Sequence, residues 1–184
     1  MKSIKVKELM VPLAEYAIVS EDATLYEAVM ALEQSHTQGY PERDRHRAVL
    51  VLDSDNRLVG KLNIWDVLNG IEPRYRELAY PRETPPQGFG SEFIRSMLET
   101  YGLWRKPLSE LCSKASAMSV REFMHIPSEG EYVEEEATLD QAIHQLVMGH
   151  YQSLLVTRED SIIGILRLSD VFKAICDGVR ACRS

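Results

Sequence analysis

Two aspartates, Asp66 and Asp170, each stand three positions after another polar residue, in the segments NIWD and RLSD. A carboxylate can accept hydrogen bonds from two neighbouring hydroxyl groups at once, in a charge-assisted bidentate geometry. Asn63 can cap a helix or donate from its amide, and the planar guanidinium of Arg167 matches the geometry of a phosphate. These residue types suit a site that binds hydroxyl and phosphate groups.

The same residues also have simpler interpretations. Asn63 and Asp66 could cap a helix whose N-terminal dipole favours an anion, and this role is compatible with ligand binding. Arg167 could hold a polyphosphate, or it could pair with Asp170 and fill an empty site. The sequence leaves these alternatives open.

An internal repeat determines which elements carry these residues. The segment at 6–10 (VKELM) matches 120–124 (VREFM), and 21–28 (EDATLYEA) matches 135–142 (EEATLDQA), both 114 residues apart. The segment at 57–68 (RLVGKLNIWDVL) matches 161–172 (SIIGILRLSDVF), 104 residues apart. The first copy therefore has ten extra residues, which we assign to an insertion at 35–47.

Each copy predicts the same order of elements. Thr24 with Glu27, and Thr138 with Gln141, fit the capping box that starts a helix. Apolar residues at helical spacing follow each box and predict a buried stripe. Two apolar β-prone runs joined by a polar turn come next, and an amphipathic helix ends each copy. With the extended stretch before the box, the order is β-α-β-β-α twice, a mixed α+β fold.

In this order and spacing the chain resembles a tandem pair of CBS domains, named for cystathionine β-synthase. The motifs are Met10, ATLYEA and LVGKLNIWD in the first copy, and Met124, ATLDQA and IIGILRLSD in the second. The resemblance implies two pseudo-symmetric repeats packed into one module. We expect repeat 1 at 1–71, a partly helical linker at 72–118, and repeat 2 with a C-terminal tail at 119–184.

The resemblance also implies a function. Family members bind AMP, ADP, ATP, S-adenosylmethionine or NAD in clefts between the copies, and they regulate an attached or partner protein. Asp66 and Asp170 occupy the ribose-binding position, and Asn63 and Arg167 occupy the phosphate-binding position. The family has Ser or Thr where this chain has Asn63 and Arg167, so we expect two unequal sites. By position, the adenine walls are Ile18, Val19, Ala48, Tyr132, Val133 and Gln152. Ordinary core packing is the alternative for the aliphatic residues.

Three classes of function are compared. The favoured class is a stand-alone sensor of an adenosine-containing ligand, with no obligatory cofactor, that signals through a homodimer or an unknown regulated protein. The alternative is a ligand-free structural or oligomerisation module, because both [ST]xxD hydroxyls are missing. An enzyme is not expected, since the chain lacks the common catalytic motifs and its histidines are scattered.

The composition of the chain excludes several classes of binding partner. The formal net charge of −7 disfavours nucleic acid as the main partner. The apolar runs are far shorter than the roughly 20 residues that cross a bilayer, and no secretory signal follows the N-terminal lysines. Three cysteines without a CxxC pair indicate reduced thiols and no zinc site. We therefore expect a cytoplasmic protein that neither binds a membrane nor contains a metal site.

Two segments lie outside the repeat pattern. The insertion at 35–47 contains Arg43, Arg45, His46 and Arg47, which could form a basic lid over a phosphate or simply a solvated loop. The linker is rich in aromatic residues, and its apolar spacing predicts a helix that begins at Ser91. Its apolar residues are Phe93, Ile94, Met97, Leu98 and Tyr101. We expect this face to pack within the chain or in a homodimer, with a partner groove as the alternative.

Overall fold

The computed structural model describes residues 4–37, 48–76, 89–159 and 161–181. In chain order the strands and α-helices are β1 (Val11–Pro12), β2 (Ile18–Ser20), α1 (Leu25–Thr37), β3 (Ala48–Leu52), β4 (Leu58–Asn63), α2 (Ile64–Ile71), α3 (Ser91–Thr100), α4 (Leu108–Ser116), β5 (Tyr132–Glu134), α5 (Leu139–Gly149), β6 (Ser153–Arg158), β7 (Ser161–Arg167) and α6 (Leu168–Ala181). The predicted β-α-β-β-α order is confirmed in both copies.

The chain forms two compact units. In the repeat 1 unit, β2 pairs parallel with β3, and β3 pairs antiparallel with β4. In the repeat 2 unit, β5 pairs parallel with β6, and β6 pairs antiparallel with β7. The mixed α+β class is confirmed, since each sheet combines a parallel crossover through a helix with an antiparallel hairpin.

The folded units differ from the sequence boundaries at 1–71 and 119–184, because each unit takes up the segment that precedes the other repeat. Residues 4–17 belong to the repeat 2 unit, and residues 48–76 and 89–125 belong to the repeat 1 unit. Val11 in β1 pairs antiparallel with Ile165 in β7. At the equivalent place in the repeat 1 unit, His125 forms an antiparallel bridge with Lys61. Each exchanged segment thus covers a sheet edge that would otherwise expose unpaired backbone groups.

The exchanged segments also contribute to the cores. Val6 is fully buried in a cluster with Leu154, Val156 and Leu166 of the repeat 2 unit, and its backbone N–H donates to the carbonyl of Ala137 at 3.0 Å. Val120, its counterpart, is fully buried in the repeat 1 unit. Sequence alignment alone does not reveal this exchange, because both copies contain the same segment in the same order.

The helices start where the capping boxes predict. Ahead of α1, the N–H of Thr24 donates to Glu27 at 2.7 Å, and the N–H of Glu27 donates to the hydroxyl of Thr24 at 3.3 Å. The backbone N–H and the hydroxyl of Thr24 both donate to the Glu27 carboxylate and hold its pKa below its usual value. Ahead of α5, the N–H of Thr138 donates to Gln141 at 3.0 Å. The polar ends fix where the apolar stripes of both helices begin.

A buried glutamate anchors the second half of the linker. Glu72, at the end of α2, is 3% exposed and accepts a hydrogen bond from the backbone N–H of Trp104 at 2.7 Å. The indole N–H of Trp104 donates to the hydroxyl of Tyr75 at 3.0 Å. Leu111 and Ala115 of α4 are buried, and α4 contacts α1 and α2. This part of the linker is therefore integral to the repeat 1 unit.

The predicted linker helix is confirmed as α3, which begins at Ser91, and Gly102 follows it with a positive φ of 59°. Its apolar face is solvent-accessible, since Phe93, Ile94, Leu98 and Tyr101 are all exposed. The basic lid hypothesis concerns Arg43, Arg45, His46 and Arg47, which lie outside the described residues.

Candidate functional site

The two aspartates lie in the first turns of equivalent helices, and their surroundings differ. In the repeat 1 unit, Asn63 ends β4 and caps α2. Its side-chain oxygen accepts from the N–H of Asp66 at 3.1 Å, and its own N–H donates to Oδ2 of Asp66 at 2.7 Å. Among the described residues, the side-chain amide nitrogen of Asn63 has no hydrogen-bond partner. The cap therefore leaves this nitrogen able to donate to a ligand.

In the repeat 2 unit, Arg167 ends β7 and Asp170 lies in the first turn of α6. The guanidinium Nε donates to Oδ2 of Asp170 at 2.5 Å, and Nη2 donates to Oδ1 at 2.7 Å. The side chains are only 9% and 15% exposed. This is the paired arrangement of Arg167 and Asp170, in which one guanidinium occupies both carboxylate oxygens.

A buried tyrosine that the sequence analysis missed lies near this ion pair. Tyr16 is 8% exposed and belongs to the segment exchanged into the repeat 2 unit. Burial raises the pKa of its phenol to about 12, while the charge of Arg167 acts to lower it and that of Asp170 acts to raise it. A lone tyrosine 150 residues before its neighbours offers no sequence signal, so only the fold could reveal this arrangement.

A buried lysine was also missed. Lys61 lies in the middle of β4 and is 8% exposed. Because side chains alternate along a strand, Lys61 and Asn63 share the sheet face opposite the fully buried Leu62. The equivalent residue in β7 is Ile165. The repeat alignment already contained this signal, since a lysine replaces an apolar residue in an otherwise apolar run.

The residues proposed as adenine walls fall into different environments. The side chain of Val133 lies in the hydrophobic core of the repeat 2 unit. The side chain of Val133 is therefore part of the core, and its role as an adenine wall stays a prediction. Gln152 precedes β6, and its carbonyl accepts a hydrogen bond from the N–H of Leu168 at 3.0 Å. This bond orients the start of α6.

The other wall candidates lie on or beside the strands. Ile18 is 42% exposed on β2, where its backbone is in register with Leu50 of β3. Val19 and Ala48 are partly buried. Tyr132 is partly buried on β5, and burial and the nearby Glu131 raise the pKa of its phenol. Ile18 is thus the one exposed apolar side chain among these candidates.

The fold and these motifs define the class of protein. The CBS domain family model matches residues 6–72 and 120–177, one match for each repeat. The chain therefore belongs to the CBS domain family and carries a tandem pair.

Solved structures with the same fold cover nearly the whole chain. The crystal structure of CBSX2 in complex with AMP has a TM-score of 0.59 and 19% identity, covering 94% of this chain and 97% of that one. A putative acetoin utilization protein (AcuB) from Vibrio cholerae has a TM-score of 0.60 and 18% identity, covering 98% and 96%. A CBS domain-containing protein of unknown function from Bacillus anthracis str. Ames Ancestor has a TM-score of 0.60 and 19% identity, covering 95% and 94%.

Sequence comparison with curated proteins found no significant match. Within the described part of the chain, no helix combines the length and apolar character that a membrane span requires.

Proposed function

We propose that this protein is a regulatory module that binds an adenosine nucleotide through its repeat 1 unit. The observation that carries the proposal is the set Lys61, Asn63 and Asp66, which lies where β4 ends and α2 begins. AMP, ADP and ATP are the candidate ligands, with S-adenosylmethionine and NAD as the other adenosine-containing compounds. The AMP complex of the similarly sized CBSX2 supports this ligand class.

Each residue of the set has a chemical role in the proposal. Asp66 accepts hydrogen bonds from the ribose hydroxyls, since one carboxylate can accept from both. The side-chain amide of Asn63 donates to a phosphate close to the α2 N-terminus, where the helix dipole favours an anion. Lys61 adds a cation on the same sheet face, and Ile18 provides an apolar surface for the base.

The proposal is tested by thermal unfolding of the full chain with AMP, ADP, ATP, S-adenosylmethionine and NAD. A bound compound at 100 times its dissociation constant adds about 2.7 kcal/mol and raises the melting temperature by about 5–10 °C. We expect Asp66→Ala to abolish this shift. Asp55→Ala is the matched control, because Asp55 is an exposed aspartate of the same repeat, and this variant should keep the shift. If no compound shifts the wild type, the nucleotide-sensor proposal is wrong and the structural-module alternative gains.

The role of Lys61 is tested by comparing ligands with and without phosphate. Lys61→Ile gives repeat 1 the residue that repeat 2 carries at the equivalent position. A charge-assisted contact contributes enough that its loss lowers AMP affinity by about 10-fold or more. Adenosine affinity should change little. Equal loss for AMP and adenosine would mean that Lys61 supports the fold rather than contacting phosphate.

We further propose that the signal passes through a homodimer. Equivalent apolar residues are exposed on the last helix of each repeat, at Leu68 in α2 and at Phe172 in α6. Exposed apolar patches of this kind mark association surfaces, and symmetric dimers are the commonest oligomers. Light scattering should find a dimer in the wild type and a monomer in the double variant Leu68→Glu, Phe172→Glu. A monomeric wild type would exclude signalling through a homodimer.

A further inference from the structure

The arginine that pairs with Asp170 in the repeat 2 unit bears on which of the two sites can bind a nucleotide. A ribose that donates from both hydroxyls needs the bidentate position across the two oxygens of its aspartate. In the repeat 2 unit both oxygens of Asp170 already accept from Arg167, at 2.5 and 2.7 Å. The guanidinium therefore presents two parallel N–H donors in the place where a ribose would present two hydroxyls.

Opening this site would separate the guanidinium of Arg167 from the carboxylate of Asp170. Both side chains are mostly buried, at 9% and 15% exposure. Ligand entry must break two charge-assisted hydrogen bonds and leave the guanidinium away from water, and separation of such a buried pair is strongly unfavourable. Tyr16, whose pKa responds to the charges of both members, is itself buried.

The repeat 1 unit has a neutral residue at the equivalent position. Asn63 stands at the position equivalent to Arg167, and its side chain is neutral. Its backbone N–H contributes one hydrogen bond to Asp66, through Oδ2, as part of the cap. Residue 63 therefore cannot occupy the carboxylate as a bidentate cation does.

We infer that Arg167 acts as an internal ligand that closes the repeat 2 site to adenosine nucleotides, so that each protomer binds one nucleotide, in the repeat 1 unit. The location of that one nucleotide rests on the proposed function. The closure itself rests only on the pairing of Arg167 with Asp170.

The experiment is isothermal titration calorimetry of the full chain with AMP and with ATP. The key variant is Arg167→Asn, which gives repeat 2 the residue that repeat 1 carries. We expect the wild type to bind one nucleotide and Arg167→Asn to bind two, with affinity for the second at least about tenfold above any residual binding there in the wild type. The added site should disappear in Arg167→Asn, Asp170→Ala. The reciprocal variant Asn63→Arg should bind none, because the new arginine pairs with Asp66.

Circular dichroism and the melting temperature establish that each variant is folded at the titration temperature. Arg167→Ser is a second variant without the arginine, and it has the hydroxyl that the family resemblance implies. If neither Arg167→Asn nor Arg167→Ser gains a site, closure by Arg167 is wrong, whatever the wild type binds. Two nucleotides on the wild type, with one lost in Asp170→Ala, would also overturn it and would make Arg167 a phosphate ligand. Failure of the proposed function is a different result, namely no Asp66-dependent binding to the wild type.

Discussion

The helices α2 and α6 carry equivalent aspartates in their first turns, yet the residue three positions earlier gives each aspartate a different environment. Asn63 makes a neutral helix cap with Asp66, whereas Arg167 makes a buried bidentate ion pair with Asp170. In both units an antiparallel strand runs directly into the helix that carries the aspartate, so the difference at these positions lies in the side chains. Repeated folds can thus keep their architecture while one copy loses or changes its chemistry.

The largest expected difference is in the free energy of unfolding that is lost when each of the two aspartates is replaced. Asp170→Ala removes the carboxylate that pairs with the buried Arg167 and should cost about 3 kcal/mol of unfolding free energy. Asp66→Ala removes part of a helix cap and should cost about 1 kcal/mol. Urea unfolding of both variants measures the difference. Asp177→Ala, which breaks the exposed pair with Arg180, is the control and should change stability by less than about 0.5 kcal/mol. Equal costs at Asp66 and Asp170 would contradict the unequal environments.

An equally large difference is expected at the paired glycines of β4 and β7. A Cβ atom at Gly164 would lie 2.6 Å from the backbone oxygen of Val11, whereas one at Gly60 would lie 2.5 Å from the sulfur of Met124. The methionine side chain can move aside, but the β1 backbone cannot without losing its pairing. Gly164→Ala should therefore cost about 3 kcal/mol and Gly60→Ala about 1 kcal/mol, measured by urea unfolding. The opposite order would mean that the exchanged β1 segment is held loosely.

The smallest effect distinguishes the repeat 2 unit at high pH. Burial raises the pKa of Tyr16 from about 10 to about 12. The neutral phenol is favoured in the folded state, so this contribution is complete below pH 10 and is lost as the pH rises from 10 to 12. At pH 11 the loss should be about 1.4 kcal/mol. The variant Tyr16→Phe should lack this part of the alkaline loss in urea titrations at pH 9 and pH 11. An identical pH dependence in both proteins would place Tyr16 in solvent.

Much of the fold could be predicted from local chemistry. Capping residues, apolar spacing and polar turns are decided within a few positions, so the start of α1 at Leu25 and the strand Ala48–Leu52 follow from the sequence. The exchange of the leading segments could not be predicted from the sequence. Val6 and Val120 have the same local sequence context, so either segment could have packed on either repeat. Only packing over a long sequence separation decides between them.

The candidate site was predicted in part. The positions of Asn63, Asp66, Arg167 and Asp170 at two helix starts follow from the repeat. The choice between phosphate binding and pairing for Arg167 depends on side-chain geometry, which spacing does not fix. Val133 shows the same limit in another form, since an aliphatic residue on a strand fits a ligand wall and a core equally well until the face is known.

The most direct test of the account is a crystal structure of the full chain with AMP. We predict the nucleotide at the start of α2, with its ribose on Asp66, its phosphate near Asn63 and Lys61, and Arg167 still paired with Asp170. Nucleotide bound to Asp170, with Arg167 turned toward its phosphate, would contradict the account.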